Sequence, residues 1–108
     1  MQPHVPAEQL QRLYLAGFEL KTFERFPKCV GAVRDQCIAL LVPGPEGLQM
    51  LGTPGWEMGE AIGVLTEVNG QKVFQAKQEM IEATPARLQR LSAFRQLLSD
   101  LLRSDNAK

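Results

Sequence analysis

A single α+β domain is predicted, with one helix near each end of an antiparallel meander sheet of four to five strands and both helices on one face of it. Three observations predict it. Apolar residues recur at helical spacing in one segment near each terminus, and the stretch between them alternates short β-prone runs with turn residues. The length, 108 residues, suffices for one modest core but not for two.

The first helix is expected over residues 6–16. Leu10, Leu13 and Tyr14 form its apolar side, and Glu8, Gln9, Gln11 and Arg12 its wet side. Gly17 is the natural stop, because it takes the left-handed conformation that ends helices, and Phe18 just beyond it can fold back on the last turn.

From Phe18 the pattern becomes β-like. Runs at residues 18–26 and 29–33 flank Pro27, which marks a bend or an edge because proline gives no ladder donor. Arg34-Asp35-Gln36 turns the chain into residues 37–42, the most apolar stretch, expected as a central strand covered on at least one face. Pro43-Gly44-Pro45-Glu46-Gly47 is a turn, and residues 48–51 form a brief strand.

Residues 52–63 are rich in glycine and contain the single tryptophan. They are read as a connection within the same antiparallel layer. Within them Thr53-Pro54-Gly55-Trp56 fits a type II turn, with Gly55 at the position that requires positive φ.

Residues 61–68 and 71–80 flank Asn69-Gly70, the signature of a type I′ hairpin. Counting outward pairs Val68 with Gln71, Glu67 with Lys72, Thr66 with Val73 and Leu65 with Phe74. Thr84 caps and Pro85 opens the last helix, whose stripe of Leu88, Leu91, Phe94, Leu98 and Leu101 faces the core up to about Arg103. Residues 1–5 and 104–108 are expected to fray.

With both helices on one face, the other face of the sheet stays partly uncovered and is left for dimerisation or ligand binding.

Composition narrows the chemistry. Twelve basic and twelve acidic residues balance to zero net charge, which disfavours nucleic acid as a partner. No apolar run approaches the roughly 18 residues of a membrane span. Met1-Gln2-Pro3-His4 lacks the order of a signal peptide, so a cytoplasmic location and no membrane partner are expected. Cys29 and Cys37 are too few for a disulfide framework and, with one histidine, for a zinc site. No metal and no cofactor are expected.

Catalysis lacks a base beside a nucleophile. His4 stands between two prolines near the start, and the serines Ser92, Ser99 and Ser104 lie in or after the last helix. Cys29 has Lys28 before it and Arg25 and Arg34 nearby, a setting that would activate an exposed thiol but is more often that of a buried one. Glu57 and Glu60, with Glu46 as a third donor, are weighed as a carboxylate or hard-cation cluster and read as solvated loop acids. No catalytic residue and no enzyme activity are assigned.

Trp56, Glu57 and Met58 in the glycine-rich segment are candidate contacts for a ligand or partner. The alternative reading has the glycines admitting a bulged strand while Trp56 plugs the core. Arg87 and Arg90 are the other candidates. They stand in the first turns of the last helix, where the macrodipole disfavours cations, and are expected to pair with Glu79 and Glu82 of the same chain or of a second subunit, or to meet an anionic partner.

The leading expectation is a small non-enzymatic module for protein interaction or small-ligand binding, as a monomer or a homodimer. The alternative is a nucleic-acid-associated protein that uses the basic last helix with the Asn69-Gly70 hairpin as a wing.

Overall fold

The computed structural model of the protein describes residues 7–45, 47–59 and 61–103. Helix α1 (Ala7–Leu15) precedes strands β1 (Glu19–Phe23), β2 (Phe26–Arg34), β3 (Cys37–Gly44), β4 (Gly47–Met58), β5 (Ala61–Val68), β6 (Gln71–Gln75) and β7 (Met80–Glu82), and helix α2 (Pro85–Arg103) follows. Each strand pairs antiparallel with its sequence neighbours, in the order β1 to β7. The meander expected from sequence is present, but with seven strands rather than four or five.

The extra strands have identifiable causes. Residues 18–26 do not form one strand: β1 ends at Phe23, which pairs with Phe26 across a two-residue turn, so Phe26 and Pro27 belong to β2. Pro27 costs no ladder bond to β3, because that pairing starts at Val30. Residues 71–80 split as well: Ala76 N donates to Glu79 O at 2.9 Å, and the tight turn separates β6 from β7.

Local signals at the helix ends are realised. Gly17 has φ 94°, Phe18 N donates to Leu13 O and Gly17 N to Tyr14 O, both at 3.0 Å, the two bonds of a Schellman stop. At α2, Arg87 N donates to Thr84 Oγ1 at 3.2 Å, while Leu88 N donates to Thr84 O at 2.9 Å and begins the helical ladder.

Gln9 departs from its expected place on the wet side of α1. It is 2% exposed. Its Oε1 accepts from Leu48 N at 2.8 Å, and its Nε2 lies 3.4 Å from Leu102 O, so one amide ties α1 to the start of β4 and the end of α2. The pairing offsets the cost of burying the amide, which helical periodicity alone assigns to water.

The Asn69-Gly70 hairpin has positive φ at both central residues and all four pairs in the expected register. A second turn of the same kind joins β2 to β3 without glycine: Asp35 and Gln36 have φ 53° and 68° between paired Arg34 and Cys37.

Residues 52–58 of the glycine-rich segment lie in β4 and residues 61–63 open β5, so Thr53-Pro54-Gly55-Trp56 is strand, not turn. Ile38 pairs with Gly55 and Leu40 with Leu51, so Gly52, Thr53 and Pro54 bulge opposite Ala39 alone. Positive φ falls on Gly52, at 72°, and not on Gly55 as the type II turn required. Gly55 answers to packing instead: a Cβ there would lie 2.5 Å from Gly63 O and 2.8 Å from Ile62 Cγ2.

The sheet curls into a half-barrel because β5 changes partner midway. Ala61, Ile62 and Gly63 pair with β4, whereas Val64 to Val68 pair with β6. Lys21 of β1 reaches the Glu57 carboxylate on β4 although two strands lie between them, a span that a flat sheet would not allow.

One core joins the helices to one face of the sheet. Leu13, Phe18, Phe94 and Leu98 meet Ala32, Cys37, Ala39, Leu41, Leu48, Trp56 and Phe74 there. The rings of Phe18 and Phe94 lie 5.6 Å apart and tilted by 54°. Phe94 and Leu98, 2% and 0% exposed, each contribute about 1.5–3 kcal/mol by burial. The α2 stripe expected from spacing therefore faces the core.

Candidate functional site

The sequence candidates converge at one end of the core. Trp56 pairs with Cys37 across β3 and β4, and its indole is 4% exposed. One face of the ring stacks on Phe74, at 5.2 Å between centroids and 22° between planes. Gly63 makes this stack possible: it pairs with Trp56, and a Cβ on it would strike Met58 Sδ and come within 3.2 Å of Phe74 Cβ. Trp56 and Met58 are thereby core residues rather than bare contacts.

Arg90 lies 5.9 Å from the centroid of the same indole, within cation–π range, and its Nη1 donates to Gln36 Oε1 at 2.9 Å. Gln36 O in turn accepts from Glu57 N at 2.8 Å. Helix α2, the β2–β3 turn and the end of β4 are thus tied through one glutamine.

Arg87 and Arg90 do not form the ion pairs expected with Glu79 and Glu82. Arg87 Nη1 donates at 2.7 Å to the backbone carbonyl of Glu82, and among the described residues neither guanidinium reaches a carboxylate. The physical reason is which acceptor of Glu82 the fork meets. Glu82 lies five residues before Arg87, and the bend into the helix presents its carbonyl, an orphan acceptor at a strand end, to the fork of donors. The cations that the helix dipole disfavours serve as clamps on a carbonyl and an indole.

Both cysteines are free and buried. Burial pushes the Cys37 thiol up to about 11 from its ordinary 9.0, against the opposing pull of Arg90 and with a smaller push from Asp35, so it stays protonated at neutral pH. Cys29 is 7% exposed, in the buried setting expected from sequence. Among the described residues no group of three or more His, Cys, Asp and Glu is placed to hold a metal ion. Glu57 is paired with Lys21, while Glu46, Glu60, His4 and Ser104 lie outside the described residues.

On the face away from the helices lies a cleft of about 580 Å³. Ile38 and Leu40 of β3, Leu51 of β4, and Ile62 and Val64 of β5 line it, with Phe26 beside the β1–β2 turn. It opens because β5 leaves β4 beyond Gly63 near the β4 bulge, so Leu51 and Val64 both line it without a ladder pair between them. Leu51 is 47% and Val64 56% exposed, whereas Ile38 beneath them is 1% exposed.

The sequence held one signal for this cleft. Residues 37–42 are apolar at every position, so a single covered face leaves Ile38, Leu40 and Val42 on the other.

Comparison with known proteins finds no matching family model, no matching curated protein and no matching solved structure.

Proposed function

We propose that the protein is a non-enzymatic small-ligand-binding module whose site is the cleft on the uncovered face of the sheet. The observation that carries the reading is an apolar concavity of about 580 Å³ in a chain of this size, within the range of sites that enclose small ligands. Its floor is preformed, since Ile38 is held by pairing on both sides of β3. No described helix is long and apolar enough to cross a membrane.

The competing reading, a nucleic-acid-associated protein, draws on the arginines of α2. Its support is weak because Arg87 and Arg90 are already engaged with Glu82, Gln36 and Trp56. A retardation assay at low salt tests it, and a shift at micromolar protein would favour it.

The neutral dye Nile red tests the cleft. A saturable blue shift with one site per chain is expected, together with loss of binding in Leu51→Gln/Val64→Gln. Both positions are exposed, so stability should stay within about 1 kcal/mol of the parent. If the folded protein gives no saturable signal, or if the double variant binds unchanged, the reading fails. A solution mass of a dimer that excludes the dye would give this face to a second copy.

A further inference from the structure

The charge around the cleft narrows its ligand. Of its lining residues the charged ones are Arg25 and Lys77, Thr53 adds a hydroxyl, and the others are apolar or glycine. The two cations arise at opposite sides of the sheet, Arg25 in the β1–β2 turn and Lys77 in the β6–β7 turn, and only the curl of the half-barrel brings both to one opening. Both are exposed. Among the described residues neither is paired with a carboxylate. Glu24 and Glu79, which sit in the same turns, do not line the cleft.

Among the described residues, the charged groups that line the apolar concavity are therefore cations, in a chain with equal numbers of acids and bases. Such a rim raises the local concentration of anions and holds them beside the apolar floor. We infer that the cleft binds a single-chain amphipathic anion, an aliphatic tail along Ile38, Leu40 and Ile62 with a carboxylate at Arg25 and Lys77. The inference rests on the cleft being the binding site.

Arg25 offers a planar fork that suits a carboxylate, and Lys77 a point charge. A second copy of the chain is a poorer occupant, since two-fold closure over the cleft would bring these cations together. A bilayer is also poorer, because the apolar floor is recessed: Ile38 is 1% exposed and Leu40 half-buried.

The test is displacement of Nile red by decanoate, decanol and decyltrimethylammonium, each below its micelle threshold. Decanoate should displace the dye at concentrations about tenfold lower than decyltrimethylammonium, and added salt should weaken decanoate alone. Arg25→Gln/Lys77→Gln, at two exposed turn positions, should erase that preference, by about three-fold per cation, and leave dye affinity unchanged.

Equal displacement by all three probes, or a preference that survives in the double variant, overturns the anionic ligand while the cleft remains a site. Absence of dye binding removes both readings. Sedimentation of the protein with phosphatidylglycerol vesicles, without displacement by decanoate, assigns the cationic rim to a bilayer and also overturns the inference.

Discussion

Gly63 shows how a missing side chain organises the candidate region. Trp56 and Phe74 stack diagonally across it, and Met58 Sδ fills the remaining space. Gly63→Ala should destabilise the fold by about 1–3 kcal/mol in urea denaturation, because the added methyl must displace packed atoms on two strands. In Gly63→Ala/Met58→Ala the loss should be smaller than the sum of the two single losses, since the second change removes the thioether that the methyl strikes. Strict additivity would show that Met58 is not the obstacle.

Cys37 makes a second residue-scale prediction. Its thiol is neutral in the folded protein up to about pH 11 but ionises near its ordinary 9.0 once unfolded. The folded state therefore binds more protons between these values. This contribution to stability is fully present below pH 9 and is lost as pH rises towards 11, by roughly 2 kcal/mol at most. Denaturation midpoints measured from pH 8 to 11 should fall less steeply in Cys37→Ala than in the parent. Parallel curves would rule out Cys37 as the source.

Among the elements, α2 depends on how it starts. Thr84 supplies the cap, and Arg87 and Arg90 in the first turns clamp the Glu82 carbonyl, Gln36 and Trp56. Thr84→Ala should cost about 1 kcal/mol, and Thr84→Asp should retain most of that stability and add a favourable charge at the helix N-terminus. Thermal unfolding of the two variants checks the order. The reverse order would mean that the cap does not limit the helix.

At the scale of the whole molecule, the half-barrel has a protected centre and two exposed edges. Strands β3 and β4 are paired on both sides and carry the core, whereas β1 and the three-residue β7 are edges. Amide exchange should be slowest for Ala39 and Leu41 and fastest in β7. Protection of β7 equal to that of β3 would indicate that its free edge is covered in solution. Edge coverage of that kind would bear on assembly but not on the cleft, which opens on a face of the sheet.

Much of this architecture is legible in the sequence. The Schellman stop at Gly17, the Thr84-Pro85 start and the Asn69-Gly70 register are set by a few consecutive residues whose φ requirements and capping bonds are local. The α2 stripe is likewise a matter of period. The strand count was less legible, because the turns that separate β1 from β2 and β6 from β7 contain no glycine.

The sequence by itself determined that two amphipathic helices flank, along the chain, a meander of antiparallel hairpins, since each of those features follows from neighbours in the chain. Tertiary structure alone decided that Gln9 is buried, that Gly55 and Gly63 serve packing, that Arg87 and Arg90 hold a carbonyl and an indole, and that Arg25 and Lys77 share one opening. These outcomes depend on how strands distant in sequence approach one another. That approach is set by the β4 bulge and by the exchange of partners along β5, neither of which any local pattern of residues specifies.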